Sequence, residues 1–148
     1  MKLSKPLFAI VFFACIFSTG DGYTQSNANL ILKVTGFRNY NGTVNIALFK
    51  SADGFPESSE NAIERRITQL SNKDPIIEFQ GLSDGEYAIS LYHDENSNQQ
   101  LDKNWFGIPK EGVGFAHNPK TLQRTPSFEE AKFFFNSNNQ HITIKLVY

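Results

Sequence analysis

Cysteine is nearly absent from this chain of 148 residues: the only one is Cys15, which lies in an apolar run near the amino terminus. A single cysteine excludes an internal disulfide, so the fold must depend on its own hydrophobic core. If the segment around Cys15 is removed, the remaining chain has no thiol and cannot use a cysteine nucleophile. A chain of this length is expected to form a single domain.

A long hydrophobic run is also missing. The longest apolar run covers residues 7–17, which is about half of the roughly twenty residues that a membrane-spanning helix needs. Lys2 and Lys5 precede the run and small or polar residues follow it, which is the pattern of a secretory signal. We therefore predict that residues 1–24 are a signal peptide, that residues 25–148 form a domain without a transmembrane helix, and that the protein is periplasmic or extracellular.

Two details of this signal are open. Cleavage after Thr24, which we favour, and cleavage after Gly20 both leave small residues before the cut. Ala14 directly before Cys15 would also permit a lipoprotein signal. The apolar run continues past the cysteine, however, so lipidation is the less favoured interpretation.

Neither sign of charge dominates. The formal net charge is −1, and the lysines and arginines are scattered along the sequence. A basic patch is the usual mark of a nucleic-acid-binding surface, so we expect no nucleic acid as a partner, and binding to an anionic membrane is disfavoured. The phosphate-binding loop, the G-x-S-x-G elbow and the H-E-x-x-H zinc motif are missing as well, so the sequence carries no signature of these enzyme classes.

Aromatic residues are abundant, with 14 Phe and 5 Tyr, and such residues favour strands. Residues 30–37 and 43–50 alternate apolar and polar side chains. The Asn41-Gly42 pair between them is a strong turn signal, so the two segments are predicted to pair as a hairpin. The pattern of residues 62–70 fits a helix as well as a strand. Further strands are predicted at 76–79, 86–93, 132–136 and 141–148.

These elements predict an all-β fold: an antiparallel β-sandwich of the immunoglobulin-like or transthyretin-like kind, with about seven strands and one long loop at residues 94–127. A small barrel is the alternative. Alternation along each strand selects the side chains that face one core. The predicted core residues are Leu32, Val34, Val44, Ile46, Leu48, Tyr87, Ile89, Leu91, Ile142, Ile144 and Leu146.

The long loop begins with oxygen-bearing side chains in the pattern D-x-N-x-N-x-x-x-D. Asp94, Asn96, Asn98 and Asp102 would supply side-chain oxygens, and Gln100 would supply a backbone carbonyl, as in a calcium loop of the EF-hand kind. One interpretation is therefore that Ca²⁺ is a cofactor that ties down the loop. The other is a loop whose Asx side chains bond their own backbone.

Two positions depart from the calcium pattern. Gln99 replaces the glycine of the sharp turn, and Trp105 replaces the bidentate glutamate that closes the site. Glu95 and Glu111 are the candidates for the missing ligand.

Aromatic and glycine residues are interspersed in the next part of the loop. Trp105, Phe106, Ile108 and Phe115 would either form an exposed binding surface or fold back onto the core. We predict the second arrangement, because apolar side chains at this density are normally buried.

Two functions from different classes are consistent with the sequence. We favour a non-enzymatic binding or structural module that acts outside the cytoplasm. The alternative is a small extracytoplasmic hydrolase in which His93, Asp94 and His117 act together, which requires the two imidazoles to converge in one cleft.

Three segments, residues 81–89, 93–102 and 106–115, also carry a family resemblance. They resemble the DUF2141 family, a group of exported bacterial proteins whose function is uncharacterised, and the resemblance extends over nearly the whole predicted domain. The family's usual loop has glycines where this chain has Ser97 and Gln99. The resemblance implies a β-sandwich and brings no activity or substrate with it.

Overall fold

In the computed structural model, the described residues are 28–118, 124–136 and 138–148. The predicted signal peptide, its cleavage sites and Cys15 lie outside them. Regular structure in the described residues is nearly all strand, as predicted, and none of their helices has the length and apolarity to cross a bilayer. The elements are β1 (Asn29–Thr35), β2 (Thr43–Phe49), a 3-10 turn (Ser59–Asn61), β3 (Glu64–Gln69), β4 (Ile76–Gln80), β5 (Gly85–Asp94), β6 (Val113–Phe115), α1 (Phe128–Ala131), β7 (Phe133–Phe135) and β8 (Gln140–Lys145).

The strands form two sheets that enclose one main core. The smaller sheet has the order β4-β1-β8, and the larger has the order β3-β2-β5-β6, with β7 also paired to β5. Strands β1 and β8 are parallel, whereas the other named strand pairs of the described chain are antiparallel. The predicted all-β sandwich is therefore confirmed, with eight strands and one parallel pair.

Alternation along the strands predicted the core well. Ten of the eleven predicted core residues are buried, and Ile142 is partly buried against the same cluster. Leu30, Phe79, Phe133 and Phe135 are among the buried residues of this cluster that the prediction did not include. Its apolar area is the main source of stability for a domain that has no described cross-link.

The predicted hairpin of the first two strands is wrong. Strand β1 pairs with β4 and β8, whereas β2 pairs with β3 and β5, so the connection between them crosses from one sheet to the other. Gly42 has a φ of +69° and lies against the backbone of Asp94, which explains the glycine without a hairpin. The ambiguous segment 62–70 contributes β3, which takes the place beside β2 that the hairpin prediction gave to β1.

The outer face of the larger sheet is covered on one half only. A second apolar cluster there joins Phe49 and Ala88 of the sheet to Phe128 and Ala131 of α1. Phe55 packs edge-on against Phe49 and Phe128, with ring centroids 5.3 Å and 5.9 Å apart. The other half of this face is left open as a cleft.

The segment 94–127, predicted to lack strands, contains the short strand β6. Its three residues pair with Ser90 to Tyr92 on β5, and a run this short gives no periodic signal in a sequence. The pairing returns the chain to the sheet at β6, so the stretch 95–112 is held at both ends by strands.

Candidate functional site

Asp94 ends β5 and anchors the loop that follows. Its side chain is fully buried, and its carboxylate accepts hydrogen bonds from the backbone N–H groups of Asn98 (3.0 Å) and Gln99 (2.7 Å) and from Asn45 Nδ2 (3.3 Å). A buried carboxylate is stable only when such donors surround it. Ser97 and Gln99 reach these positions with φ values of +58° and +61°, the left-handed region that favours glycine.

The other predicted ligands lie in the same loop and bond to one another. Asn96 Nδ2 and Asn98 Nδ2 donate to the two oxygens of Asp102, at 2.8 Å and 3.3 Å. The side-chain oxygens of Asn96 and Asn98 accept the backbone N–H groups of Asn98 (3.0 Å) and Gln100 (2.8 Å). The structure thus brings Asp94, Asn96, Asn98, Gln100 and Asp102 together as a self-bonded loop.

Glu111 lies outside the self-bonded loop of residues 94–102 and holds that loop closed. The side chain is buried, and its two oxygens accept the backbone N–H groups of Glu95 (2.9 Å) and Asp102 (3.1 Å). The bond from Lys110 N to Asp102 O, at 2.8 Å, holds the same two parts of the chain side by side. Glu111 was one of two candidate closing residues in the sequence, and its carboxylate bridges the loop through backbone donors.

Glu95, the other candidate, turns away from the loop. Its carboxylate contacts Arg38 Nη2 at 2.5 Å and accepts a hydrogen bond from Asn39 at 2.7 Å. Burial acts to raise the pKa of Glu95, but the hydrogen bonds from Asn39 and Arg38 and the charge of Arg38 outweigh it and lower the pKa. Glu95 therefore ties the loop to the β1–β2 connection.

The donor chemistry of the loop fits a hard cation. Asp94, Asn96, Asn98 and Asp102 carry the carboxylate and amide oxygens that Ca²⁺ prefers, and each of these oxygen groups has lone pairs left. A cation would have to replace the two amide bonds that Asp102 now accepts. Within the described part of the chain, no three His, Cys, Asp or Glu side chains converge as a metal-binding group.

The three residues of the hydrolase alternative do not form a site. His93 is fully buried, and its Nδ1 and Nε2 lie 2.7 Å from the Tyr148 hydroxyl and 2.8 Å from the backbone carbonyl of Asn41. A carbonyl only accepts, so in the neutral ring Nε2 carries the proton and Nδ1 accepts the hydroxyl hydrogen. Both nitrogens therefore have structural partners.

His117 is distant from this imidazole. The residue before it donates its backbone N–H to Ile89, which lies four positions before His93 on β5. Four residues of strand extend about 13 Å. The imidazoles do not converge, so the geometry gives the hydrolase no acid–base pair.

The aromatic tip, defined as residues 105–108, is exposed, and its predicted burial is wrong. Trp105 is 96% exposed, Phe106 is 83% exposed and Ile108 is 56% exposed; of the four predicted residues, only Phe115 packs against an apolar cluster. Hydrogen bonds to Asn104 close this segment into a turn of its own, which leaves the three side chains exposed.

Asn104 makes this tip rigid. Its side-chain oxygen accepts the backbone N–H groups of Phe106 (2.9 Å) and Ile108 (3.0 Å), and its backbone bonds to Gly107 (2.9 Å) and Ile108 (2.8 Å). Because these hydrogen bonds already fix the backbone of the turn, holding its apolar side chains in solvent requires little further loss of conformational entropy.

A cleft of about 1070 Å³ lies between the tip and the open half of the larger sheet, with Phe106 and Ile108 on its wall. Strand register gives its floor. One cross-strand row reads Ile67-Asn45-Tyr92-Val113, and the next reads Arg65-Ala47-Ser90-Phe115. Sequence reasoning missed this floor, although polar Asn45, Ser90 and Tyr92 at outward positions of central strands were its signal.

Tyr92 supplies a hydroxyl to this floor. Burial, reinforced by the charges of Asp94 and Glu111, raises the pKa of Tyr92 to about 12. The side chain is therefore a neutral hydroxyl at neutral pH, and within the described residues it has no hydrogen-bond partner. It can both donate a hydrogen bond to a ligand and accept one.

Comparison with known proteins identifies the family. The family model described as "Uncharacterized protein conserved in bacteria (DUF2141)" matches residues 32–143, a range that includes β2 to β7, the self-bonded loop and the tip. No curated protein and no solved structure matches the chain. Because the match covers well over half of its length, the chain belongs to the DUF2141 family of bacterial proteins.

Proposed function

We propose that this protein is a non-enzymatic binding module that acts outside the cytoplasm and uses the aromatic tip and the adjoining cleft as its binding surface. The exposure of Trp105 and Phe106 on a rigid turn is the observation that carries this proposal. Exposed aromatic side chains are anchor residues in many interfaces, because they bury a large area and lose few rotatable bonds.

The local hydrogen bonds support this role. Asn104, Asp102 and Glu111 hold the base of the tip, so its shape does not depend on the packing of the exposed rings. Exposed rings that stabilise nothing in the free protein are available to a partner, and pre-ordering of the turn lowers the entropic cost of binding.

Trp105 allows a direct test, because it is the only tryptophan in the sequence. Its fluorescence in the free protein should be fully accessible to a neutral quencher. We expect soluble cell-envelope fractions that contain a ligand to protect it and to shift its emission to shorter wavelength. Quenching that is unchanged by polysaccharide, lipid and protein fractions would contradict the proposal.

Variants separate binding from stability. The double variant Trp105→Phe, Phe106→Ser should change the free energy of unfolding by less than about 0.5 kcal/mol, because both side chains are exposed. It should also lose retention on the fraction that protects Trp105. The matched control is Phe134→Ser, which removes a 62% exposed ring on β7 and should leave retention unchanged.

Export is part of the proposal and has its own test. The n-region, the short apolar run and the small residues after it support removal of residues 1–24. The intact mass of the protein recovered outside the cytoplasm should correspond to a chain that begins at Gln25, or at Asp21 if the earlier site is used. A mass that includes Lys2, or a diacylated Cys15, would show a different route.

We also propose that Ca²⁺ binds weakly to the loop and stabilises it. Four carboxylates, those of Asp94, Glu95, Asp102 and Glu111, lie on or against the loop, and one of them is neutralised by Arg38. A divalent cation would reduce the repulsion among the others. The left-handed backbone of Gln99 and the engaged amides favour the weak affinity that is usual in extracellular modules.

The expected result is a rise in melting temperature with added CaCl₂ that chelator reverses. A hundredfold excess over the Kd adds about 2.7 kcal/mol to the free energy of unfolding. Asp102→Asn should abolish the response, whereas Asp53→Asn, which removes the same charge from an exposed site, should keep it. If about 10 mM Ca²⁺ gives neither a thermal shift nor a calorimetric signal, the loop is self-bonded only.

A further inference from the structure

The chemistry of the cleft floor limits what can bind in it. Strand β2 lies between β3 and β5, and β5 lies between β2 and β6, so the backbone groups of the floor are used in the sheet. Among the described strands, the outer edge of β3 is the free edge at this side of the sheet, so a peptide added there as a strand would extend the sheet and would not lie across the cleft floor. The polar side chains of Asn45, Ser90 and Tyr92 also make the floor unsuitable for an acyl chain.

The wall adds further uncharged hydrogen-bonding groups and apolar surface. The exposed side chains of Gln99 and Gln100 line the cleft on the loop side, and Phe106 and Ile108 line it on the tip side. Amides and hydroxyls beside apolar side chains suit a ligand that carries many hydroxyls on rings with apolar C–H faces. An oligosaccharide has this chemistry, and the length of a floor that crosses four strands suits a linear one.

Arg65, at the end of one row of the cleft floor, carries a positive charge without an ion pair in the described part of the chain. The carboxylate of Glu111, which also lines the cleft, is held by the backbone N–H groups of Glu95 and Asp102. Arg65 has neither an ion pair nor a hydrogen bond among the residues that the structure describes, whereas its neighbour Arg66 pairs with Glu64. Lys103 lies 3.8 Å from Glu57, so these two opposite charges on the cleft wall offset each other. The free guanidinium is suited to a carboxylate, which it can bind through two parallel hydrogen bonds.

We propose that the cleft binds a linear oligosaccharide that carries carboxylate groups. Arg65 pairs with one carboxylate, Tyr92 and the two glutamines bond hydroxyls, and Phe106 packs on a sugar ring. This inference rests on the proposed function and adds the class of ligand to it.

The test uses calorimetry to compare two chemical forms of one oligosaccharide. The protein is the one recovered after export of the full chain. The probes are galacturonic acid hexamers, their methyl esters and hexaglutamate. The free acid should bind at least about tenfold more tightly than the ester, because a charge-assisted pair contributes at least that factor. Hexaglutamate, with the same charges and no sugar rings, should not bind measurably.

Variants then assign the contacts. Arg65→Gln should remove the preference for the acid and leave the affinity for the ester unchanged. Tyr92→Phe should weaken both forms about three- to tenfold, as expected for one lost hydrogen bond. The matched control Lys33→Gln removes a positive charge from the smaller sheet and should change neither affinity.

Three results would overturn the inference: equal affinity for acid and ester, measurable binding of hexaglutamate, or no binding of either oligosaccharide. Protection of Trp105 by an envelope fraction, together with any of these, would leave the binding function standing and remove only the ligand class. Failure of both experiments would remove the binding function as well.

Discussion

Gly42→Ala should cost more than about 4 kcal/mol of the free energy of unfolding, a range that single substitutions rarely reach. A Cβ at this position would overlap the carbonyl oxygen of Asp94 and lie 2.9 Å and 2.8 Å from the carbonyl carbons of Asp94 and Glu95. These are backbone atoms of β5 and of the loop after it, so no side-chain rotation relieves the overlap. The φ of +69° adds the strain of a left-handed alanine.

Gly107→Ala is the matched control, because it measures the cost of a left-handed alanine without the steric overlap. Gly107 has a φ of +77°, and a Cβ there would have no atom within 4 Å. It should therefore cost only the roughly 1–2 kcal/mol of left-handed backbone. Urea unfolding of both variants measures the difference. Similar losses for the two would mean that the connection before β2 can move away from Asp94.

Gly42→Ala should also disturb the candidate functional site. The neighbouring Asn41 carbonyl accepts the His93 Nε2–H, and the Gly42 carbonyl accepts hydrogen bonds from Leu70 N and Gln69 Nε2. A shift of this connection would break contacts to both β3 and β5. The start of the Asp94 loop therefore depends on the same close approach.

The strand faces were predictable from sequence because alternation is a local property. Val44, Ile46 and Leu48 face the core whichever strand lies beside them. The partners of a strand depend on contacts between distant segments. The Asn41-Gly42 signal therefore marked a bend with a left-handed glycine, and its interpretation as a hairpin was wrong.

The candidate site was also predictable only in part. The Asx residues of the loop lie within nine positions, so local spacing brought them together. Exposure of Trp105 was not predictable, since composition alone favoured burial. It depends on the backbone bonds of Asn104 and on the clamp by Glu111, whose partner Glu95 lies 16 positions away in sequence. The cleft required strand register, which periodicity does not supply.

Asp94→Ala should cost about 3–5 kcal/mol, the usual loss when a buried charged partner is removed. The substitution leaves the Gln99 N–H without its acceptor. It also removes one of two acceptors from the Asn98 N–H and from the Asn45 amide, which keep Asn96 Oδ1 and Thr43 Oγ1. Each bond to a charged group is worth about 1.5–3 kcal/mol, and the three act as a unit, so their effects do not add in full.

Asp94→Asn tests the cause of this loss. Asparagine keeps the shape and one acceptor oxygen, but its NH₂ group would face donors where the second oxygen now accepts. It should therefore recover less than half of the loss. Asp53→Ala, at an exposed position, should change stability by less than about 0.5 kcal/mol.

Hydrogen exchange locates the effect in the loop. In Asp94→Ala, the amides of Asn98 and Gln99 should exchange much faster, while the amide of Ile89 in the core should follow only the global change in stability. If the loss is under about 1 kcal/mol and these two amides keep their protection, water or the neighbouring Asn96 replaces the carboxylate. The buried charge would then be dispensable for the shape of the loop, and the rigid presentation of Trp105 would rest on Glu111 and Asn104 alone.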